Sequence, residues 1–375
     1  ESGVDAVIAC GHECGGKVST ISSFLLAQRL LAGDFLPVMV RGVCGVRGSA
    51  ACRAVGAAGV VLDHQTLLLP ESPLPIGWQR LIESAHSQDF QMLGGQGQTP
   101  VTVLAHPAFP ALGELQKAAR ALELEGAEAQ QRFDATVDRL VRLGPPQDCL
   151  WPLGQTASWA AWTRDRYSSV GHLVKTVLEG SLAQVQSAAI SKPLAPGAPL
   201  AASHRTRYPI VQGPMTRVSD RPLFARAVAD NGALPMVALA LAKGPETRAV
   251  LEETAALLGE ASWGVGILGF VPPQVLDIQL EEIRRVKPPF ALIAGGRPRQ
   301  ALALEAEGIA TYLHVPVPSL LASFIDQGAR RFIFEGRECG GHVGPLSSFV
   351  LWEQSVETLL SKLPTGEKAS ILFAG

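Results

Sequence analysis

The sequence predicts an α/β fold organised as a parallel (β/α)8 barrel, and three observations carry that expectation. Short, nearly all-apolar runs recur along the chain, each followed by a stretch with apolar residues at helical spacing. Strands apolar on both faces belong to parallel sheets covered by helices. No G-x-G-x-x-G follows the first such run, which removes the best signature of a doubly wound open sheet. Finally, one segment occurs twice, IACGHECGGKVSTISSFLLAQRLL at 8–31 and IFEGRECGGHVGPLSSFVLWEQSV at 333–356, so that Gly11 corresponds to Gly336 and Ser23 to Ser348. The spacing is too long for a solenoid repeat and suits a barrel-sized domain, so the chain reads as parts of two related domains.

Each copy has the same local pattern: an apolar run ending in Gly, a polar Gly-Gly loop, and a serine pair opening an amphipathic helix. Phe349, Trp352, Val356 and Leu360 fall at helical spacing, and Ser347 or Ser348 can cap the first turn. Glycines at a strand's C-terminal end let backbone approach a flat ligand closely. The same pattern also serves a tight strand-to-helix turn with no ligand.

Taken in order, Leu36 to Val43 and Gly59 to Leu69 read as buried strands around a small-residue helix at 45–56. From Leu74 to Pro146 the chain becomes more polar, with a loop at Gly94 to Thr99 and a long helical pattern from Leu112 to Leu143, which suggests an insertion or lid. An apolar helix from Val170 to Val185 follows, and Pro193 to Ser203 is the linker candidate. Beyond it, strands are expected at 210–213, 234–239, 263–268, 290–294, 311–315, 331–334 and 371–374, alternating with helices. The predicted parts are 1–75 (strands six to eight of a first barrel), 76–150 (helical insertion or lid), 151–205 (closing helix and linker) and 206–375 (strands one to six and a stub of seven of a second barrel).

At 375 residues, with 47% hydrophobic and 18% charged residues, the chain can bury a large core. A net charge of -2 gives no basic footprint for nucleic acid. No apolar run is long enough to span a membrane and no signal sequence opens the chain, so a cytoplasmic protein is expected. The 6 cysteines are too sparse for a disulfide framework, and Cys10, His12 and Cys14 do not converge as metal ligands. No metal is expected.

The residues VQGPM at 211–215, GRECGGHVG at 336–344, and the Gly-rich strand ends at 264–269 and 295–296 resemble the nitronate monooxygenase, or 2-nitropropane dioxygenase-like, family of FMN-dependent barrels, which includes flavin enoyl-acyl reductases. The likeness is greatest to tandem modules of type I polyketide and polyunsaturated fatty-acid synthases. It implies FMN as cofactor, with NAD(P)H as a possible reductant, a small-molecule or acyl-thioester substrate, and other synthase domains in the same polypeptide. Both ends are expected to be cut through a domain. The resemblance carries the flavin site onto Gln212, Gly213, Pro214, Met215, Gly295, Gly296, Glu338, Cys339, Gly340 and Gly341, with Gly42 and Val43 at the phosphate loop of the first module. It makes His342 the catalytic base, and imidazole suits that role because it titrates near neutrality.

The first copy departs from this pattern. Lys17 stands at the position of His342, and a lysine is ordinarily protonated at neutral pH. Asp63 stands where a glycine commonly follows strand eight, and its charge would repel a phosphate. A degenerate barrel serving as a structural or acyl-binding scaffold is therefore the alternative function, and thiol chemistry at Cys14 or Cys339 a third. Pooling the strands of both parts predicts one hybrid barrel, with the 7–9 strand in its sixth slot and residues from about Arg331 onward outside it.

Overall fold

In a computed structural model, residues 3–33, 36–95, 99–123, 126–341 and 343–375 are described. They form two compact units. Unit 1 holds the residues up to Ser187 together with Gly336–Glu338 and Pro345–Gln354; unit 2 holds Ala188–Glu335, Cys339–Gly344 and Ser355–Gly375.

Unit 1 begins with β1 (Val7–Cys10), β2 (Gly16–Lys17), α1 (Ser23–Leu31), β3 (Val38–Arg41), α2 (Val46–Ala54) and β4 (Gly59–Val61). The apolar strands β1, β3 and β4 pair in parallel in that order, with Cys10 opposite Arg41. Next come α3 (Ile76–Glu83), β5 (Phe90–Leu93), β6 (Val101–Leu104), α4 (Leu112–Ala121) and α5 (Ala127–Leu140). Here β2, β6 and β5 form an antiparallel sheet. The helical pattern expected to run from Leu112 to Leu143 is thus two helices, and the 76–150 segment carries two strands as well. Trp151, Phe133, Phe109 and Leu104 are buried in one cluster beneath them, and burying aromatic side chains of this size is worth about 2–3 kcal/mol each. Two helices follow, α6 (Ala160–Arg166) and α7 (Val170–Ser191).

Unit 2 takes up the strand and helix alternation: α8 (Pro199–His204), β7 (Val211–Gln212), α9 (Pro222–Asp230), β8 (Leu234–Ala238), α10 (Gly244–Leu258), β9 (Gly264–Leu268), α11 (Pro273–Val286), β10 (Phe290–Ala294), α12 (Pro298–Glu305), β11 (Ala310–Val315), α13 (Pro318–Asp326), β12 (Arg331–Glu335), α14 (Ser348–Lys362), of which Ser348–Gln354 belongs to unit 1, and β13 (Ser370–Ala374). The helices α9 to α13 all carry proline in their first two positions. Proline ends the strand-like path and presets the helical φ where no backbone donor is needed. Strands β7 to β13 lie in consecutive order in one parallel sheet.

That sheet curls into a nearly closed seven-stranded barrel. Laid flat, its first and seventh strands would stand about 29 Å apart at ~4.8 Å per strand. Yet Val211 of β7 and Leu372 of β13 pack into the same cluster as Met236, Leu292 and Ile333. Two glycines of β9 make room for the curvature: a Cβ on Gly264 would meet Met236 Sδ at 2.4 Å, and one on Gly266 would meet Pro214 Cβ at 2.2 Å.

The barrel rhythm is present, but the hybrid closure is not. The sixth position belongs to β12, whose Phe332, Ile333 and Phe334 pair with Leu313, His314 and Val315, while β1 pairs with β3 in the sheet of unit 1. The loop from Leu313 through α13 to β12 is short and local, so this pairing costs less loop closure than recruiting a strand from the far end of the chain. The expected linker at 193–203 is also partly helical. Within α8, Ala201 and His204 are buried, and His204 Nε2 lies 2.7 Å from the Tyr312 hydroxyl.

Burial, aided by the nearby Arg331 charge, lowers the His204 pKa from 6.5 to about 4. The unfolded chain therefore binds this proton first on acidification, and the contribution to stability is complete above about pH 6.5 and is lost as pH falls towards 4. His204→Phe is expected to flatten part of the fall in melting temperature between pH 6.5 and 4. Parallel melting curves for variant and wild type across that window would contradict this.

Candidate functional site

The two copies of the repeated segment build the same turn. A Cβ on Gly11 would lie 1.9 Å from Ser23 N, and one on Gly336 would lie 2.1 Å from Ser348 Oγ, so only glycine permits the approach. In the first copy Glu13 Oε1 accepts from Ser23 N at 2.9 Å, and Ser23 Oγ accepts from Gly11 N at 2.8 Å. In the second, Glu338 Oε2 accepts from Ser348 N at 2.9 Å and from Ser348 Oγ at 2.6 Å. Each glutamate thus satisfies amide donors at the start of the following helix. Glu338, expected beside the flavin ring, is engaged in this turn.

Both glutamates fall within unit 1, as do Phe24 and Phe349. These two phenylalanines occupy equivalent positions of the copies and touch edge to face at 5.3 Å. Glu13 is fully buried, and burial, then the nearby Glu338 charge, raise its pKa to about 7 against the pull of the Ser23 donors. His12 is buried with neither ring nitrogen partnered among the described residues; burial, then the Arg337 charge, lower it to about 4.

Around the first copy, Lys17, Asp63 and the start of α2 each have another engagement. Lys17 Nζ pairs with Asp138 at 3.1 Å on the surface. Asp63 pairs with Arg41 and caps the His64 amide, which takes its charge away from any phosphate. Gly42 and Val43 precede α2, whose glycine N-cap supplies no side-chain acceptor. The buried Glu353 carboxylate fills that role, accepting from Arg47 N at 3.0 Å and from Gly48 N, with Arg47 Nη1 3.8 Å away. An anion already sits where a phosphate would bind. Sequence reasoning named Cys14 as a possible reactive thiol. Cys14 is buried and pushed well above the usual thiol range, whereas Cys10 is drawn down to about 6 by the Cys14 hydrogen bond and by Arg41.

The second copy opens onto a cavity of about 1060 Å³ within unit 2, at the C-terminal ends of its strands. Gly213, Pro214, Met215, Cys339, Gly340 and Gly341 line it, together with Ala238, Gly266, Leu268, Leu292, Ala294 and Ile333. A Cβ on Gly213, Gly340 or Gly341 would meet nothing within 4 Å, so backbone faces open space there. Gln212, Gly295 and Gly296 are not among the lining residues. Gln212 Oε1 accepts from Met236 N at 3.3 Å, and Gly295–Gly296 pack against Phe270 and Gly269. His342 lies outside the described residues.

Two lining residues were not anticipated. His314 Nδ1 lies 2.7 Å from Glu335 Oε2, and both side chains are mostly buried. Their signal in the sequence is faint: each is a titratable residue at or next to the C-terminal end of a parallel strand, where barrel sites are built.

The lining fits a flat apolar ring, because glycine backbone and aliphatic side chains dominate it. Among the described lining residues there is no lysine or arginine, so the ring and not the phosphate of a flavin is what these residues would hold.

No family model matches the chain. A curated protein of Rhodococcus jostii (strain RHA1), (3aS,4S,5R,7aS)-5-hydroxy-7a-methyl-1-oxo-octahydro-1H-indene-4-carboxyl-CoA dehydrogenase, is 40% identical over 74 residues, 20% of this chain. The match spans 21% of that relative's length. Among solved structures, FabK from Thermotoga maritima is 21% identical, with a TM-score of 0.40 over 47% of this chain and 60% of that one. A nitroalkane oxidase from Streptomyces ansochromogenes is 18% identical, with a TM-score of 0.41 over 47% and 60%. The enoyl reductase domain of MlnA from the macrolactin biosynthesis cluster of Bacillus amyloliquefaciens is 14% identical, with a TM-score of 0.40 over 50% and 52%. Likenesses of this extent carry no functional conclusion.

Replacing Glu353 by Ala strips buried amide donors of their partner. It is expected to destabilise unit 1 by about 2–4 kcal/mol in urea unfolding, with Glu353→Gln closer to wild type. Equal stability of Glu353→Ala and wild type would show that the carboxylate does not hold the α2 N-terminus.

Proposed function

We propose that the chain is an FMN-dependent oxidoreductase of the nitronate monooxygenase or enoyl-acyl reductase type, with its reaction carried out in unit 2. The observation supporting this is the apolar, glycine-lined cavity at the C-terminal ends of seven parallel strands. There the VQGPM and CGG segments, far apart in sequence, face one space. When bound, the flavin supplies the electron donor or acceptor. The backbone of Gly213, Pro214 and Met215 and that of Gly340–Gly341 would hold and orient the ring, while the aliphatic lining would exclude water. His342 moves the proton at the substrate carbon, as the resemblance implies. NAD(P)H is the proposed reductant, a nitronate or an unsaturated acyl thioester the substrate, and a cytoplasmic polyketide or fatty-acid synthase the setting.

A second reading applies to unit 1 alone: the first-copy module is a catalytically silent scaffold. It is supported by the Glu353 carboxylate at the α2 N-terminus and by the surface pairing of Lys17 with Asp138. On this reading Gly42 and Val43 hold no phosphate.

Quenching of FMN fluorescence on titration with the purified chain tests the main reading. Gly213→Val puts a side chain into open space that the ring needs, so folding should persist while FMN affinity falls at least tenfold. Tight NAD with no flavin binding would reject the reading. His342→Ala is expected to lower kcat/KM on a nitronate or enoyl thioester by about 10²-fold or more without changing FMN affinity, and Lys17→Ala to leave both unchanged. Equal losses from the two substitutions would reverse the assignment of roles.

A further inference from the structure

We propose that His314 and Glu335 form a proton-transfer site of their own in the unit 2 cavity. In this site His314 Nε2 removes a proton from an acidic C–H of a carbon acid, such as a nitroalkane or a thioester with an α-proton. The inference rests on the oxidoreductase reading for the choice of substrate class.

The strand register brings the pair together. His314 of β11 sits opposite Ile333 of β12, and Glu335, two residues on, projects to the same face as Ile333. All three line the cavity. His314 Nδ1 is held 2.7 Å from Glu335 Oε2, so that nitrogen carries the proton it donates and Nε2 keeps a lone pair. The carboxylate fixes tautomer and ring orientation, and it compensates the positive charge that appears when Nε2 takes up a proton in an apolar surrounding. Glu335 is therefore a positioning residue. A purely structural role is poorly matched to the geometry, because the backbone ladder already joins β11 to β12, and both residues of the pair line the cavity. Cys339 is the other titratable side chain lining the cavity among the described residues.

The step balances without a redox partner. The substrate C–H bond breaks heterolytically, an N–H bond forms at Nε2, and the electron pair stays on the substrate, delocalised into its nitro or carbonyl group. In D2O the reverse step returns a deuteron to carbon.

Exchange of the α-protons of nitroethane in D2O, followed by proton NMR with the full chain, with and without FMN, tests the site. The wild type should accelerate exchange over buffer, and His314→Asn and His314→Gln should each reduce the acceleration at least tenfold while circular dichroism is unchanged. Glu335→Gln should lower the acceleration severalfold, and the conservative Glu335→Asp should retain most of it, because a retained carboxylate still offsets the positive charge formed on the ring. No acceleration by the wild type, or full acceleration in both His314 variants with loss only in His342→Ala, would overturn the proposal. The exchange step needs no flavin. Exchange without FMN binding therefore rejects the oxidoreductase reading and leaves this site standing, while FMN binding without exchange rejects this site alone.

Discussion

A glutamate tied to the first amide of the next helix, buried in the first copy and partly buried in the second, is the constraint on which both copies of the repeated segment depend. Glu13 binds Ser23 N and Glu338 binds Ser348 N, and in each case a glycine two residues earlier admits the serine at a distance that a Cβ would forbid. The G-x-E part of the motif is thus explained by folding alone. A helix N-terminus left without acceptors is costly inside a protein, and a carboxylate serves it better than a neutral cap. What remains for ligand chemistry is the Gly-Gly that follows, whose role differs between the copies.

In the first copy three sets of polar groups are engaged within unit 1. The Glu353 carboxylate at the start of α2, the Arg41–Asp63 pair and the Lys17–Asp138 pair each turn a potential ligand contact into an internal one. In the second copy the same Cys-Gly-Gly run borders a cavity whose other wall is the Gly213 turn. One sequence motif therefore has two outcomes, set by what its neighbours offer: carboxylates in one case, glycine and aliphatic side chains in the other.

Much of this was legible in the sequence because it rests on local periodicity. The seven strands of unit 2 fall within a residue or two of the apolar runs, since burial on both faces leaves little choice of residue. The cavity-facing Gly213, Pro214, Met215, Cys339, Gly340 and Gly341 were legible from the resemblance. Long-range choices were not. Nothing in the composition of β1 or β12 says which takes the sixth position, because both are short apolar strands followed by the same turn; the short β11–α13–β12 connection decides it. Glu353 was invisible as a helix cap because its partners lie about three hundred residues away. The His314–Glu335 pair depends on strand register, which a period of two cannot supply without the pairing partner.

The central claim is that the ligand site belongs to the second copy and that the first is internally occupied. A crystal structure of the full chain soaked with FMN tests it most directly. The account predicts ring density against Gly213–Met215 and Gly340–Gly341, with Glu353 still bound to the Arg47 and Gly48 amides. Phosphate density at the start of α2 with Glu353 displaced, and an empty unit 2 cavity, would contradict it.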